Sequence, residues 1–525
     1  MKRPFITALL LISGTFSLLA QGKYIVPSDM KATGYAAHAE LSWTNHPGFT
    51  YEIYRSSDGA KNYELVATTD GSRYIDFVEN PRVSHKLSYR ILPRGMKVDS
   101  QDAKKFQVDT STERYDSDQF LNMIQEYTTR YFYDFAEPVT KMARERSNDW
   151  NGDIVTTGGT GFGIMALIAG AEREYFPRVK AYEYINDMVN FLSKAERFHG
   201  AWAHWYDART GKPFSFSKYD DGGDLVETAF LVQGLLTAKQ YFLQQNTPEE
   251  QELASRINTL WEEVEWNWYT QGGRDSLYWH WSKNFGWKMN HVIKGFDETM
   301  ITYILAASSP TYPIQPSAYH KGFTNSPYFR NDSVYYGIKL PLGMTYGGPL
   351  FFTHYSFLGL NPNGLKDRYA DYFQRNYAQA MIHYLYAQDN PKKHVGVGQG
   401  AWGFTSSDDP LVGYTSHHPG TNDENGTISP TAALSSIVYV PKESMEAAEY
   451  FYYVLGPILF GQYGFYDSFN LGMVEGQQVV HSYLAIDQGP IAVMIENYRS
   501  QLLWNLFMKN PDIRKGLTDL GFSFK

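Results

Sequence analysis

The chain has 525 residues, more than one ordinary domain, so we expect one small and one large domain. Hydrophobic residues make up 43% and charged residues 20%, close to globular averages, which argues against long disordered stretches. The formal net charge of −9 disfavours nucleic acid or an anionic membrane as a partner, and the absence of cysteine excludes disulfides, zinc–thiolate sites and a cysteine nucleophile.

Residues 1–20 have the pattern of a cleavable signal peptide. Lys2 and Arg3 form a charged start, residues 8–19 are mostly apolar, and Ala20 is a small residue before a cut. The apolar run is too short to span a bilayer, which takes roughly 20 apolar residues. We therefore expect a periplasmic or secreted protein with no lipid-modified cysteine and no membrane insertion after the signal is removed.

Residues 27–108 have the pattern of a small β-sandwich. Apolar and polar side chains alternate over short segments that turn residues such as Asp70-Gly71 separate. We predict strands over residues 39–44, 50–54, 65–68, 74–77 and 86–92. The domain resembles a fibronectin type III module, and the resemblance rests on the strings Leu41-Ser42-Trp43, Tyr51-Glu52-Ile53-Tyr54-Arg55 and Tyr89-Arg90-Ile91. We expect this module to have a structural role.

A polar linker is predicted over residues 109–118, and the pattern then becomes helical. Phe120, Ile124, Tyr127 and Tyr131 follow the spacing of one helix face. Strands do not alternate regularly with helices, which argues against a parallel α/β sheet. For residues 116–525 we predict a mainly α toroid of paired helices with long loops; a helical repeat array is the alternative, although no fixed period appears. Further helices are predicted near 161–175, 178–197, 222–243, 249–267, 297–307, 367–388, 443–455 and 488–508.

Three acids lie close together around the start of the helix predicted at 222–243. Spacings of four and three place Asp220, Asp224 and Glu227 near one face, if the helix begins early enough. Acids at a helix start often only cap it. Here the face continues as apolar residues, and a buried acid cluster separates pKa values, leaving one group protonated and one ionised for general acid–base catalysis.

Two further acids precede apolar helices. Glu298 follows a Trp-rich segment, and an apolar wall would raise its pKa and make it a proton donor. Asp487 stands three residues before Pro490, so capping of the following helix is an alternative to a catalytic role. The P-loop, the His-Glu-x-x-His zinc helix and the Gly-x-Ser-x-Gly elbow are missing from the sequence, which argues against nucleotide enzymes, zinc proteases and serine esterases.

Aromatic residues make up 16% of the chain, and many stand among Gly, Asn and Asp in predicted loops. Flat apolar faces with polar rims suit stacking on sugar rings, and histidines beside them can bind sugar hydroxyls, although packing is an equal alternative. His417 and His418 with Asp423 and Glu424 could ligate a metal, but a hydrogen-bonded surface cluster is the more common arrangement, so we predict no metal. The predicted sugar-binding residues are Trp202, His204, Trp281, His354, Trp402, Phe404 and Tyr466.

Several short strings in one order make the chain similar to a known family. Residues 120–508 resemble the glucoamylase-like proteins of glycoside hydrolase family 144, whose characterised members are β-1,2-glucanases. The strings are Asp220-Asp221-Gly222-Gly223-Asp224-Leu225-Val226-Glu227-Thr228, Asp297-Glu298-Thr299-Met300, Tyr346-Gly347-Gly348-Pro349-Leu350-Phe351, Trp402-Gly403-Phe404-Thr405-Ser406-Ser407-Asp408, Gly426-Thr427-Ile428-Ser429-Pro430-Thr431-Ala432 and Ala485-Ile486-Asp487-Gln488-Gly489-Pro490.

The resemblance implies an (α/α)6 barrel that hydrolyses a glucan with inversion and without metal or organic cofactor. It implies that Glu298 is the general acid, that Asp220, Asp224 and Glu227 are the acids near the attacking water, and that Asp487 is a further acid of the cleft. Asp297 stands where the family more often has Asn, which adds a charge beside the acid. We take Asp224, helped by Glu227 or Asp220, as the group that activates water.

These observations predict a monomeric endo-acting β-1,2-glucanase whose partner is a glucan polysaccharide or oligosaccharide. Within enzymes, the alternatives are an exo-acting enzyme that releases the disaccharide sophorose, a hydrolase of another glucan, and a glycoside phosphorylase, which needs a phosphate pocket in place of a base. Outside enzymes, the alternative is a glycan-binding component of an uptake system.

Overall fold

The computed structural model describes residues 26–81, 83–98, 102–148, 152–245 and 247–525. The predicted signal peptide, residues 1–20, lies outside the described residues. The chain divides into two compact units, Met1–Arg114 and Tyr115–Lys525. The predicted linker is partly wrong, because residues 109–111 belong to a strand and the first helix begins at Ser117.

The first unit consists of two antiparallel sheets, in the strand orders β1-β2-β5 and β4-β3-β6-β7. The five strands predicted from the sequence correspond to β2–β6, while β1 and β7 were not predicted. Alternating side chains of both sheets form one core, in which Trp43, Tyr51 and Tyr89 are buried. The strands are β1 (Ser28–Gly34), β2 (His38–Thr44), β3 (Tyr51–Ser56), β4 (Glu64–Thr69), β5 (Arg73–Phe77), β6 (Lys86–Pro93) and β7 (Gln107–Ser111).

The second unit is mainly helical. The predicted stretch 488–508 is two helices, because Gln501 adopts a left-handed conformation between them (φ 58°). The pattern did not indicate the shorter helices, some of which span a single turn. The helices are α1 (Ser117–Tyr133), α2 (Thr157–Glu172), α3 (Arg178–Leu192), α4 (Leu225–Phe242), α5 (Pro248–Glu262), α6 (Met300–Ser308), α7 (Tyr372–Asp389), α8 (Pro430–Leu434), α9 (Pro441–Tyr453), α10 (Gly456–Leu459), α11 (Ala485–Ser500), α12 (Leu502–Met508) and α13 (Pro511–Asp519).

Short strand pairs connect these helices. Two of the pairs are longer hairpins inside the predicted long loops, β15–β16 and β17–β18. The strands are β8 (Ile154–Thr156), β9 (Arg197–Phe198), β10 (Ala201–Trp202), β11 (Trp205–Asp207), β12 (Lys212–Pro213), β13 (Gly223–Asp224), β14 (His280–Trp281), β15 (Arg330–Tyr335), β16 (Ile338–Leu342), β17 (Ser406–Asp409), β18 (Gly413–Ser416), β19 (Phe460–Gly461), β20 (Gly464–Phe465), β21 (Ser468–Phe469) and β22 (Val479–Val480).

The most apolar helices pack side by side at the centre of the second unit. Helix α4 packs against α2 and α6, and α11 packs against α2 and α8, so the central helices neighbour one another in the order α6–α4–α2–α11–α8. On the outside, α5 packs against α4, α13 against α6 and α9 against α8. Helices α2 and α4 are buried around almost their whole circumference, as expected for helices without a solvent-facing stripe. Within the described ranges, no helix is long and apolar enough to cross a membrane.

Glycine allows α2 and α4 to approach closely. A Cβ atom on Gly161 would lie 2.2 Å from the carbonyl oxygen of Phe230, and one on Gly234 would lie 2.2 Å from the carbonyl oxygen of Gly161. Both contacts are to backbone atoms, so a side chain could be accommodated only if the helices moved apart.

We expect Gly161→Ala to destabilise the second unit by about 1–3 kcal/mol, because the added methyl group forces α2 away from α4. Denaturant unfolding followed by circular dichroism measures the effect. Gly472→Ala is the control, since its added Cβ meets a side-chain oxygen, Asn470 Oδ1, at 3.1 Å. Equal stability of the two variants would contradict the close-packing argument.

Candidate active site

Asp224 caps the central helix α4 and is fixed by a short strand pair. It lies in β13, directly opposite His280 of β14, and its Oδ1 accepts hydrogen bonds from the backbone N–H groups of Val226 (3.0 Å) and Glu227 (2.9 Å). The predicted common helix face for Asp220, Asp224 and Glu227 is therefore wrong, because α4 begins only at Leu225. The three acids are brought together by the strand pair and the helix start.

The second oxygen of Asp224 is also fully engaged. Oδ2 accepts a hydrogen bond from Trp279 Nε1 (2.9 Å) and lies 3.1 Å from His204 Nδ1. A carboxylate offers about four acceptor positions, and four donors occupy them here. Burial acts to raise the pKa of Asp224, but the hydrogen bond and charge of His204 outweigh it and lower that pKa below its ordinary value. Asp224 is thus ionised and has no free position for a water molecule.

His204 bridges two acids. Its Nε2 lies 3.5 Å from Glu227 Oε1, and its ring stacks on Trp205 with centroids 3.5 Å apart. Burial opposes protonation, but the charges of Glu227 and Asp224 raise the pKa of His204 to about 10. The expectation of a neutral imidazole at His204 is therefore wrong, because the raised pKa makes it a cation and both of its ring nitrogens face carboxylates. Its side chain is 25% exposed, and its contact with a sugar stays a prediction.

Glu227 connects the starts of two central helices. Its Oε2 accepts a hydrogen bond from the backbone N–H of Gly158 in the first turn of α2 (2.8 Å). Burial is the main cause that raises the pKa of Glu227 to about 7, the charge of Asp224 adds to it, and the charge of His204 opposes it. Glu227 can therefore exchange a proton near neutral pH.

Asp220 lies at the more open side of this group. Its Oδ1 is 3.9 Å from His280 Nε2, and its side chain is 14% exposed. Burial raises the pKa of Asp220, with Asp224 acting in the same direction and His204 in the opposite one. Its carboxylate has fewer donors than that of Asp224. We name Asp220, Asp224, Glu227 and His204 the α4 acid group.

Glu298 lies just before α6 and faces the α4 acid group. The hydroxyl of Ser356 donates a hydrogen bond to the backbone carbonyl of Glu298, and not to its side-chain carboxyl. Burial raises the pKa of Glu298 well above its ordinary value, and the charges of Asp297, Glu227 and Asp224 raise it further. Asp297 itself has a pKa raised by burial to about 6. Glu298 therefore holds its proton more strongly than an ordinary glutamic acid, and it lies close enough to the α4 acid group to respond to its charges.

Asp487 belongs to a second set of acids. It lies in the first turn of α11 and is 2% exposed. Burial raises its pKa well above the ordinary value, and the charges of Asp467, Asp408 and Glu145 add to the effect. The N-cap position of α11 is occupied by Leu484, three residues before Asp487, and Asp487 Oδ2 has no hydrogen-bond donor, so the capping alternative considered for Asp487 is not what the structure shows.

Tyr355 lies close enough to both sets of acids to respond to their charges. Burial raises the pKa of its hydroxyl, and so do the charges of Asp487, Glu298 and Glu227. Its ring packs against the ring of Phe351, with centroids 4.9 Å apart. The sequence did not indicate Tyr355, because one tyrosine among 41 carries no signal unless its acidic neighbours are known.

Four of the predicted sugar-binding residues are wrong. Trp202, Trp402 and Phe404 are fully buried, and His354 is 1% exposed. The indole N–H groups of Trp202 and Trp402 donate to the carbonyls of Leu192 and Glu443, and His354 Nε2 is 3.0 Å from Ser436 Oγ. These rings belong to the core, and the polar atoms of Trp202, Trp402 and His354 form hydrogen bonds within the protein. Their position among Gly, Asn and Asp in the sequence suggested exposed loops, but it does not determine burial.

Trp281 and Tyr466 are only partly buried and remain candidates for sugar contact. Trp281 packs edge-on against Trp268, whose ring is 39% exposed and stacks on His199 at 3.7 Å. Trp268 and the partly exposed Trp279 were not among the predicted sugar-binding residues. Trp279 donates to Asp224, and Trp281 pairs with Gly223 next to it, so this aromatic surface borders the candidate site.

The predicted loop histidines have separate partners. His417 Nε2 lies 3.3 Å from Asp409, and its Nδ1 is 2.6 Å from the carbonyl oxygen of Asp423. Glu424 instead pairs with His394 Nε2 at 3.0 Å. In the part of the chain that the structure describes, no group of three or more histidines and carboxylates is placed to hold a metal ion.

Comparison with known proteins agrees with this architecture. A family model described as "Putative glucoamylase" matches residues 290–511. The chain is 40% identical over 517 residues to the exo-β-1,2-glucooligosaccharide sophorohydrolase (non-reducing end) of Parabacteroides distasonis, covering 94% of this chain and 70% of that protein.

Two solved structures are similar to this chain, one over 78% of its length and the other over 95%. An endo-β-1,2-glucanase from Chitinophaga pinensis in complex with sophorotriose and glucose is 47% identical, with a TM-score of 0.75, covering 78% of this chain and 99% of its own. A β-1,2-glucanase from Parabacteroides distasonis is 39% identical, with a TM-score of 0.86, covering 95% and 73%. The fold and the acidic cleft thus define a glycoside hydrolase of the helical toroid type. The chain belongs to the glucoamylase-like family, glycoside hydrolase family 144.

Proposed function

We propose that this protein hydrolyses β-1,2-glucan with inversion at the anomeric carbon and that Glu298 is the general acid. The observation that carries the proposal is the buried carboxyl of Glu298, whose pKa is raised well above its ordinary value by burial and by the charges of nearby acids, among them Asp224, whose own pKa is lowered. An inverting hydrolase needs one protonated carboxyl that donates to the glycosidic oxygen and one carboxylate that activates water on the other face of the sugar. The substrate is proposed from the names of the relatives.

We assign the proton acceptor differently from the sequence-based hypothesis. The carboxylate of Asp224 is filled by four donors, so we propose that it orients His204 and Trp279 instead of accepting a proton. Asp220 is the more open carboxylate of the α4 acid group. Asp487 is the stronger candidate, because its Oδ2 has no hydrogen-bond donor and because the charges of both Asp487 and Glu298 act on the hydroxyl of Tyr355.

Endo action is our primary proposal, because the helical unit is 47% identical to an enzyme named as an endo-glucanase. One observation favours exo action as the second candidate. The relative named as an exo sophorohydrolase matches 94% of this chain, whereas the endo-acting relative matches 78% of it. Release of sophorose from the non-reducing end is therefore the alternative outcome of the product assay below.

The finer features of the architecture are also proposals. We propose that the second unit is an (α/α)6 barrel, supported by the paired inner and outer helices, and that the first unit is a fibronectin type III-like module, supported by its two antiparallel sheets. A monomer in the periplasm or outside the cell is proposed from the signal pattern and the composition. Glucan is the proposed partner, and no cofactor is proposed.

Incubation of the protein with linear β-1,2-glucan and with a panel of other glucans tests the proposed function. We expect products from β-1,2-glucan alone, and thin-layer chromatography over time distinguishes the two modes. A ladder of oligosaccharides indicates endo action, and sophorose from the first time point indicates exo action. Stimulation by inorganic phosphate would instead indicate a phosphorylase, and binding without products would indicate a glycan-binding protein.

We expect Glu298→Gln to lower kcat on β-1,2-glucan by about 10²–10⁴-fold, because the amide keeps the shape of the side chain but cannot give up a proton. Initial rates measure the effect, and an unchanged melting temperature shows that the variant is folded. The matched control is Glu263→Gln, whose side chain is 55% exposed and pairs with Arg197 at the surface. A Glu298→Gln variant as active as this control would remove Glu298 from the mechanism.

We expect Asp297→Asn to move the alkaline limb of the kcat/KM profile to lower pH. Glu298 acts only while protonated, so its activity falls as pH rises through its raised pKa. The charge of Asp297 contributes to that raised pKa, so its removal lowers the pKa of Glu298. The amide oxygen can still accept the hydrogen bonds that Thr299 donates. An alkaline limb that stayed in place or moved upward would refute this role of Asp297.

A further inference from the structure

Asp487 is one of three buried carboxylic acids that come together from distant parts of the chain. Asp408 comes from β17, Asp467 directly precedes β21, and Asp487 lies in α11. All three are almost fully buried, with 2–5% exposure. Burying three negatively charged carboxylates without a cation or hydrogen-bond donors would be strongly unfavourable. The groups that neutralise these charges therefore determine the protonation of Asp487.

Arg146 balances the first of these acids. Its Nη1 donates to both oxygens of Asp408, at 3.0 and 3.2 Å, and Ser482 Oγ donates to Asp408 Oδ2 at 2.7 Å. The backbone N–H of Asp408 donates in turn to Asp467 Oδ2 at 2.6 Å. The side chain of Asp408 is thus paired with Arg146, and its backbone N–H holds one oxygen of Asp467 in place.

One oxygen of Asp467 and one oxygen of Asp487 have no hydrogen-bond donor. Asp467 Oδ1 and Asp487 Oδ2 are both buried and receive no hydrogen bond from the protein. An ionised carboxylate can only accept hydrogen bonds, so two ionised groups here would face each other with two unsatisfied acceptors. A single proton between them converts this arrangement into one O–H···O hydrogen bond, as in other carboxyl pairs that cannot both ionise.

We propose that Asp467 is a positioning residue that shares one proton with Asp487 and thereby holds the carboxyl of Asp487 at the cleft. The pair then carries one negative charge at neutral pH and titrates as a unit. Burial raises the pKa of Asp467 to about 7 and that of Asp487 well above its ordinary value, and each group responds to a hydrogen bond with the other. This inference rests on the proposed function, in which Asp487 is the proton acceptor.

The pair provides a balanced proton path for hydrolysis. The attacking water forms its bond to the anomeric carbon and gives a proton to the singly charged pair, which becomes neutral with two protons. The bond from the anomeric carbon to the glycosidic oxygen breaks, and that oxygen receives the proton of Glu298. Release of one proton from the pair to solvent and uptake of one by Glu298 restore the starting state, so that one water is consumed for each bond cleaved.

The other charged and titratable groups around the pair favour one retained proton. Glu145 contributes a negative charge that raises the pKa of Asp487, while Arg146 lowers that of Asp467. Tyr414, which is 51% exposed as a whole residue, lies directly opposite Asp408 in the β17–β18 hairpin. Desolvation of its hydroxyl and the charges of the pair raise the pKa of that hydroxyl. Tyr355 responds to Asp487 in the same way. Both tyrosines therefore remain neutral.

Counting protons tests the shared proton without any substrate. The full chain is unfolded by denaturant at pH 8 in two buffers of different ionisation heat, and calorimetry gives the protons released. We expect Asp467→Asn and Asp487→Asn each to release one proton fewer than the unchanged protein, because the new amide donates to the remaining carboxylate. The surface control is Asp519→Asn, which should not change the count. Unchanged proton release in Asp467→Asn overturns the shared proton.

A pair of variants tests the positioning role. Asp467→Asn keeps an acceptor for the Asp408 N–H and a donor for Asp487, whereas Asp467→Leu has a similar shape and neither group. We expect the Asn variant to retain kcat within about tenfold and the Leu variant to lose about a hundredfold or more, with KM little changed in both. Equal losses of kcat in the two variants, or a loss that appears only in KM, overturn this role.

The two experiments separate the inference from the proposed function. If the unchanged protein does not cleave β-1,2-glucan but the proton count changes as expected, the pair is present and the substrate assignment is wrong. If the unchanged protein cleaves the glucan but Asp467→Asn leaves the proton count unchanged, the function stands and the shared proton is wrong.

Discussion

The imidazolium of His204 between Asp224 and Glu227 is the interaction on which the rest of the cleft depends. Two buried carboxylates cannot both be ionised at this distance without a positive charge, because low dielectric surroundings strengthen their repulsion. His204 allows Asp224 to remain ionised, and Asp224 in turn caps α4 and fixes Trp279. The charges that this arrangement retains are among those that keep Glu298 protonated.

Helix starts assemble the site. Asp224 precedes α4, Gly158 donates from the first turn of α2, and Asp487 lies in the first turn of α11. Because the central helices lie side by side, their first turns bring groups together that are far apart in sequence. The partial positive charge and free N–H groups of a helix start also stabilise carboxylates there. The partial positive charge and free N–H groups at the N-termini of the central helices therefore favour acids at the place where we propose that a sugar binds.

The sequence identified the important acids but not how they meet. Spacing suggested a common helix face for Asp220, Asp224 and Glu227, whereas a strand pair and an N-cap bring them together. Burial of an aromatic ring depends on contacts between distant segments, so Trp202 and Trp402 could not be distinguished from cleft residues such as Trp281. Asp467 was missed for a similar reason, because its role depends on its contacts with Asp408 and Asp487. Asp408, for example, lies 59 positions earlier in the sequence.

The glycine at position 158 has a consequence for comparing related chains. A Cβ atom at that position would lie 2.3 Å from Glu227 Oε2, so almost any other residue there would displace that carboxylate. The residue type at position 158 is thus constrained by Glu227, 69 positions later, because the two are in contact, although no short sequence motif contains both. In a survey of related chains, a larger residue at the position equivalent to 158 would mark a protein whose cleft has been rebuilt, even where every acid is still present.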